Sequence, residues 1–125
     1  MSSIPLMWEG STMVLDLGIL KPVEEDTFVP LITFKTDEEF ERSLVDLALE
    51  MQTHLLVLRF IYDSGENGKC AYQIPFYGYI PCDLDALGDS TNVTIFDIDG
   101  IGVVGYVKNE ETNKWSFGYV ITHLS

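Results

Sequence analysis

TDEEFERSLVDLALEMQTHLLVLRFIY, residues 36–62, is the stretch whose reading decides the fold. It divides into an amphipathic helix over about 37–52 and an apolar strand, His54 to Tyr62, that follows it directly. Thr36 and Glu39 have the spacing of a capping box, in which hydroxyl and carboxylate each satisfy a free backbone N–H. Asp37, Glu38 and Glu39 load the first turn with negative charge, where the helix dipole favours it. Phe40, Leu44, Leu47, Ala48 and Met51 recur at helical spacing and make one buried stripe. At a rotation of about 100° per residue, Glu39, Asp46 and Glu50 form an acidic row along one flank. Val45 and Leu49 fall on the far side from Phe40, beside Glu38 and Arg42. The plainer expectation is that a second layer or a loop covers this apolar pair. The sharper one is a partner surface, since exposed apolar groups beside charge often mark one.

The strand after the helix does not alternate. Leu55, Val57 and Ile61 are as apolar as Leu56, Leu58 and Phe60, the pattern of a strand buried on both faces and so inside a sheet. Arg59 interrupts it and is expected to reach the sheet edge or to pair with a carboxylate in a structural ion pair.

On the N-terminal side, residues 1–11 read as a loosely held lead-in ending in a turn at Glu9-Gly10-Ser11. Thr12 to Leu20 reads as a strand with Met13, Leu15, Leu17 and Ile19 on one face and Asp16 and Gly18 on the other. Phe28 to Phe34 is a second short strand, and Pro30 suggests an edge or an irregular start. On the C-terminal side, Asn67-Gly68 signals a hairpin leading into a strand from Lys69 to Ile74. Pro75 to Cys82 follows, with Phe76, Tyr77 and Tyr79 between two prolines. These rings either cap the core or form a contact surface, since tyrosine offers large area at small entropy loss. Asp83, Asp85 and Asp89 lie in an acidic loop with room for one helical turn. Three strands then remain: Thr91 to Ile98, Ile101 to Lys108 and Lys114 to His123. In the last, Trp115, Phe117, Tyr119 and Ile121 share a face.

The expected architecture is a single α+β domain over residues 1–125. Its sheet is mostly antiparallel, with about six to seven strands and one main helix packed on one face. A chain of 125 residues that is 46% apolar and 12% aromatic can bury a core without disulfides or metals. No run reaches the roughly 18 apolar residues of a membrane span, and the N-terminus lacks the basic start and apolar core of a signal peptide. A cytoplasmic location is therefore expected, with Cys70 and Cys82 as free thiols. Asn92-Val93-Thr94 then matches a glycosylation acceptor by chance.

Twenty acidic residues against seven basic ones give a net charge of −13. Phosphate contacts need clustered Lys and Arg, so direct nucleic-acid binding is disfavoured, and anionic membrane surfaces are disfavoured for the same reason. A basic protein partner fits the field, which would speed encounter. Solubility alone also accounts for an acidic chain.

Catalytic signals are missing. His54 and His123 are the two histidines, and nothing places either beside a cysteine or serine nucleophile. The Asp83, Asp85, Asp89 and Asp97, Asp99 runs lack the alternating ligands and closing glutamate of a calcium loop. No enzyme activity, metal or cofactor is expected. The leading expectation is an inhibitory binding protein, in profile an immunity protein that neutralises a basic toxin such as a nuclease. Its candidate contact residues are Glu39, Asp46, Glu50, Tyr77, Tyr79, Asp83, Asp85 and Asp89. A phage-encoded inhibitor of a host nucleic-acid enzyme is the near variant. A small enzyme or ligand-binding domain with an aromatic-lined pocket, or an adaptor subunit, are the alternatives.

Overall fold

The computed structural model describes residues 4–20, 26–63, 68–76, 80 and 84–121. In chain order the elements are β1 (Leu6–Glu9), β2 (Thr12–Leu20), β3 (Phe28–Thr33), α1 (Asp37–Thr53), β4 (Leu55–Asp63), β5 (Lys69–Pro75), the one-turn α2 (Leu84–Leu87), β6 (Asn92–Ile98), β7 (Gly102–Lys108) and β8 (Trp115–Ile121). The α+β class and the single main helix expected from the sequence are present. The described strands number eight, close to expectation, but they are shared between two four-stranded sheets. The first has the order β1-β2-β4-β5 and the second β3-β8-β7-β6.

Every pairing is antiparallel except that of β2 with β4. The parallel pair follows from connectivity. Between β2 and β4 the chain makes β3 in the other sheet and then α1, a connection long enough to return the strand in the same direction. The start of the chain also differs from expectation. Residues Leu6–Glu9 are not a loose lead-in but a strand hairpinned onto β2, with Gly10 at φ +63° in the turn.

The helix is capped as expected at Thr36, whose Oγ1 accepts from the Glu39 N–H at 3.2 Å. The reciprocal half of the box is displaced by one residue. Glu39 Oε2 accepts from the Lys35 N–H at 3.1 Å rather than from that of Thr36. Phe40, Leu44 and Leu47 are fully buried, with Ala48 and Met51 packed at the margin. Phe40 stacks on Trp115 of β8 with ring centres 4.2 Å apart and meets Tyr106 of β7 edge-on at 5.2 Å. Trp115, Phe117, Tyr119 and Ile121 are all buried, so β8 offers the continuous apolar face that its alternation implies. Phe76, just after β5, meets Phe96 of β6 edge-on at 5.1 Å and joins the two sheets at their far ends.

β4 is an interior strand, as its apolar run requires. Leu56, Leu58, Phe60 and Tyr62 point into the core. The other side is not covered to the same degree. Val57 is buried and Arg59 and Ile61 are half-buried, but Leu55 is 50% exposed. β3 lies at a sheet edge, which accommodates Pro30.

β2 departs from simple alternation. Its register against β4 shifts between Asp16 and Ile19, where Gly18 adopts φ +71° and donates its N–H to Asp16 Oδ1 at 2.8 Å. A bulge of this kind turns the following side chains over. Ile19, expected beside Leu17, is therefore exposed, and Leu20 is buried in its place. Among the described residues no helix is long and apolar enough to cross a membrane.

Candidate partner-binding surface

The helix sends its charges into two kinds of environment. Glu39 serves the cap and is half-buried. Glu50 turns Oε2 inward to 3.1 Å from His54 Nδ1, which also meets Thr53 Oγ1 at 2.8 Å. That carboxylate oxygen is buried, and only a proton on Nδ1 turns the approach into a hydrogen bond. Asp46 stands exposed between them along the helix. The row Glu39, Asp46, Glu50 thus shares one flank, with its two end carboxylates also engaged in local contacts.

The opposite stripe is more open. Leu49 is 55% exposed and Val45 half-buried, so no described layer closes over Leu49. Glu38, Glu41, Arg42 and Val45 line a shallow hollow on the same side. An apolar strip of Val45 and Leu49 therefore runs along the helix, bordered by Glu38, Glu41 and Asp46 and by the cation Arg42.

Asp85 lies on α2 and Asp89 just beyond it, both exposed. Tyr77, Tyr79 and Asp83 lie outside the described residues, as do Asn67, Cys82 and His123. Phe76 of the same aromatic segment packs inward, and Ile80 is buried in the core. Cys70 is exposed on the edge strand β5. Among the described residues no three His, Cys, Asp or Glu side chains converge in a way that could hold a metal.

Two clusters bring together residues far apart in sequence. On the first sheet, the Arg59 guanidinium pairs with Glu9 and lies 3.4 Å from Asp16 Oδ2. The hydrogen bond from Arg59 is the main reason the Glu9 carboxyl titrates below its ordinary range, and the same bond raises Arg59. The expected structural ion pair is therefore present, but its partners could not be chosen from sequence. Glu9 sits on a strand read as lead-in. At the start of β4, Trp8 meets His54 edge-on with ring centres 4.1 Å apart, and Trp8 is 56% exposed. The exposed tryptophan is the signal that the sequence offered and the lead-in reading passed over.

The outer face of the second sheet holds a trough of ≈170 Å³ beside Phe28, floored by Gly105 and walled by Val103, Val107 and Val120. No histidine, cysteine or carboxylate lines it. Compared with protein-family models, with curated proteins and with solved structures, the chain matches none.

Proposed function

We propose that this chain is an inhibitory binding protein that holds a basic protein partner, as an immunity protein holds and neutralises a basic toxin such as a nuclease. The observation that carries the reading is Leu49. It is a large apolar side chain left open on the helix, with the half-buried Val45 and the exposed Asp46 one turn before it. Burying it against a partner gains apolar transfer energy, and the acidic border selects a partner of opposite sign. The net charge of −13 extends that selection over the whole surface and accelerates encounter.

The reading of a small enzyme or ligand-binding domain finds less support. The trough beside Phe28 is lined mainly by apolar side chains with Asn92 and Thr94, which gives no carboxylate, histidine or cysteine for catalysis.

The test is to mix the purified chain with the product of the reading frame next to its own gene. A one-to-one complex that abolishes that product's activity is the expected result. A complex that leaves the activity intact, or no complex, contradicts the reading.

A further inference from the structure

Val14 and Val57 are both buried, at 2% and 6% exposure, yet neither belongs to the apolar cluster that forms the core. They are register partners on β2 and β4 and point to the side of the first sheet opposite Leu15, Leu56 and Leu58. Met7 of β1 pairs with Val14 and extends this row. The row on one side ends in Leu55, and beyond the bulge come Ile19 and Ile61, again in register. Met7, Ile19 and Leu55 are between 43% and 50% exposed. The outer face therefore carries six apolar side chains across three strands, Met7, Val14, Ile19, Leu55, Val57 and Ile61. Thr12 and the charged Glu9, Asp16 and Arg59 interrupt them, with Val14 and Val57 closed and the periphery open. A sheet that faces water normally alternates to polar residues there. Apolar residues on both faces, together with a parallel pair, are the pattern of a sheet covered on both sides.

Glu9 and Asp16 stand on either side of the Met7 and Val14 pair, and Arg59, the register partner of Asp16, reaches across Met7 to join both carboxylates. Two carboxylates meet one guanidinium, which leaves one negative charge in surplus among the apolar side chains. This surplus decides the occupant. A second copy would bring two such centres together, and two chains of −13 each, and like charges in a desolvated contact are repelled. A partner that places a lysine or arginine among apolar side chains complements both features.

We infer that the outer face of the first sheet is a docking surface for a basic protein, seating an apolar patch with a cation at its centre. This rests on the reading of the partner as a basic protein, but uses a different face from that of Leu49.

The probe is a synthetic amphipathic helix with one leucine-rich face and a single lysine at its middle, alongside the same peptide with glutamate there. Titration into ¹⁵N-labelled protein is expected to shift the amides of Val14, Val57 and Arg59. The glutamate peptide should bind at least tenfold more weakly. A Leu55→Glu, Ile19→Glu double variant should weaken the lysine peptide at least tenfold with an unchanged melting temperature, and Leu49→Glu should not. Equal binding of the two peptides, or shifts confined to α1, overturns the inference. A free chain whose dimerisation is abolished by the double variant places a second copy on the face and overturns it too. If the peptide docks on β2 and β4 while the neighbouring gene product goes unbound, the inhibitory reading fails and this one stands.

Discussion

The Ser43 hydroxyl lies 2.7 Å from the Tyr106 hydroxyl, and this buried hydrogen bond ties α1 to an interior strand of the second sheet. Both residues are nearly inaccessible, at 6% and 0% exposure. Ser43→Ala would leave the phenol without its partner, which costs about 1–3 kcal/mol in a buried site. Tyr106→Phe should cost less, because the remaining serine can turn to a carbonyl of its own helix. Chemical denaturation of the two variants checks the order. Equal or reversed losses would mean that Tyr106 is held by packing and not by this bond.

Burial raises the ionisation of Tyr106 well above the ordinary tyrosine value, with the Ser43 hydrogen bond opposing the shift. The native state then keeps a proton that the unfolded chain loses near pH 10. The folded form binds more protons, so stability is retained below that pH and falls as pH climbs above it. Stability measured from pH 8 to 11 should drop less steeply in Tyr106→Phe than in the parent. Parallel curves would remove Tyr106 from the alkaline transition.

Glu9 shifts in the other direction. Its carboxyl is lowered by the hydrogen bond from Arg59, so its contribution is present above the unfolded carboxyl range and is lost as pH falls through it. In an NMR titration, Arg59→Gln should move the Glu9 midpoint upward. An unmoved midpoint would mean that the pair does not persist in solution.

Leu58 is fully buried on an interior strand, and Leu58→Ala should cost about 2–5 kcal/mol. Gly105 and Gly118 face each other across β7 and β8. A Cβ on Gly105 would overlap the Val93 carbonyl oxygen, and one on Gly118 that of Val29. Neither main chain can yield without disturbing its ladder, so Gly→Ala at each should cost about 1–3 kcal/mol by overpacking. Thermal melts of the three variants test both claims. A silent Gly105→Ala would show that the strands can separate locally.

The helix, its Thr36 cap and the interior place of β4 were legible because each rests on a local pattern: a capping pair, a 3.6-residue stripe, an unbroken apolar run. The division into two sheets was not legible, since alternation in β8 names a buried face but not the sheet behind it. The same limit hid the parallel pairing of β2 with β4. Gly18 fits a strand or a bulge equally well, and only the bulge exposes Ile19 and buries Leu20. Spacing placed Glu39, Asp46 and Glu50 on one flank, but could not reveal that Lys35 and His54 would meet the two end carboxylates. Leu49 was flagged on the far side of the helix, and whether anything covered it depended on tertiary packing.

The central claim, that a basic protein is captured through the acidic surface, is tested most directly by the association rate with the neighbouring gene product as salt is raised. Between about 0.02 and 0.5 M salt, steered association falls steeply because exposed charges are screened beyond about a Debye length. The rate for the parent protein is predicted to fall at least tenfold over this range, and less for a variant in which Glu38 and Asp46 are replaced by glutamine and asparagine. A rate that does not change with salt, and is the same for parent and variant, would contradict the account.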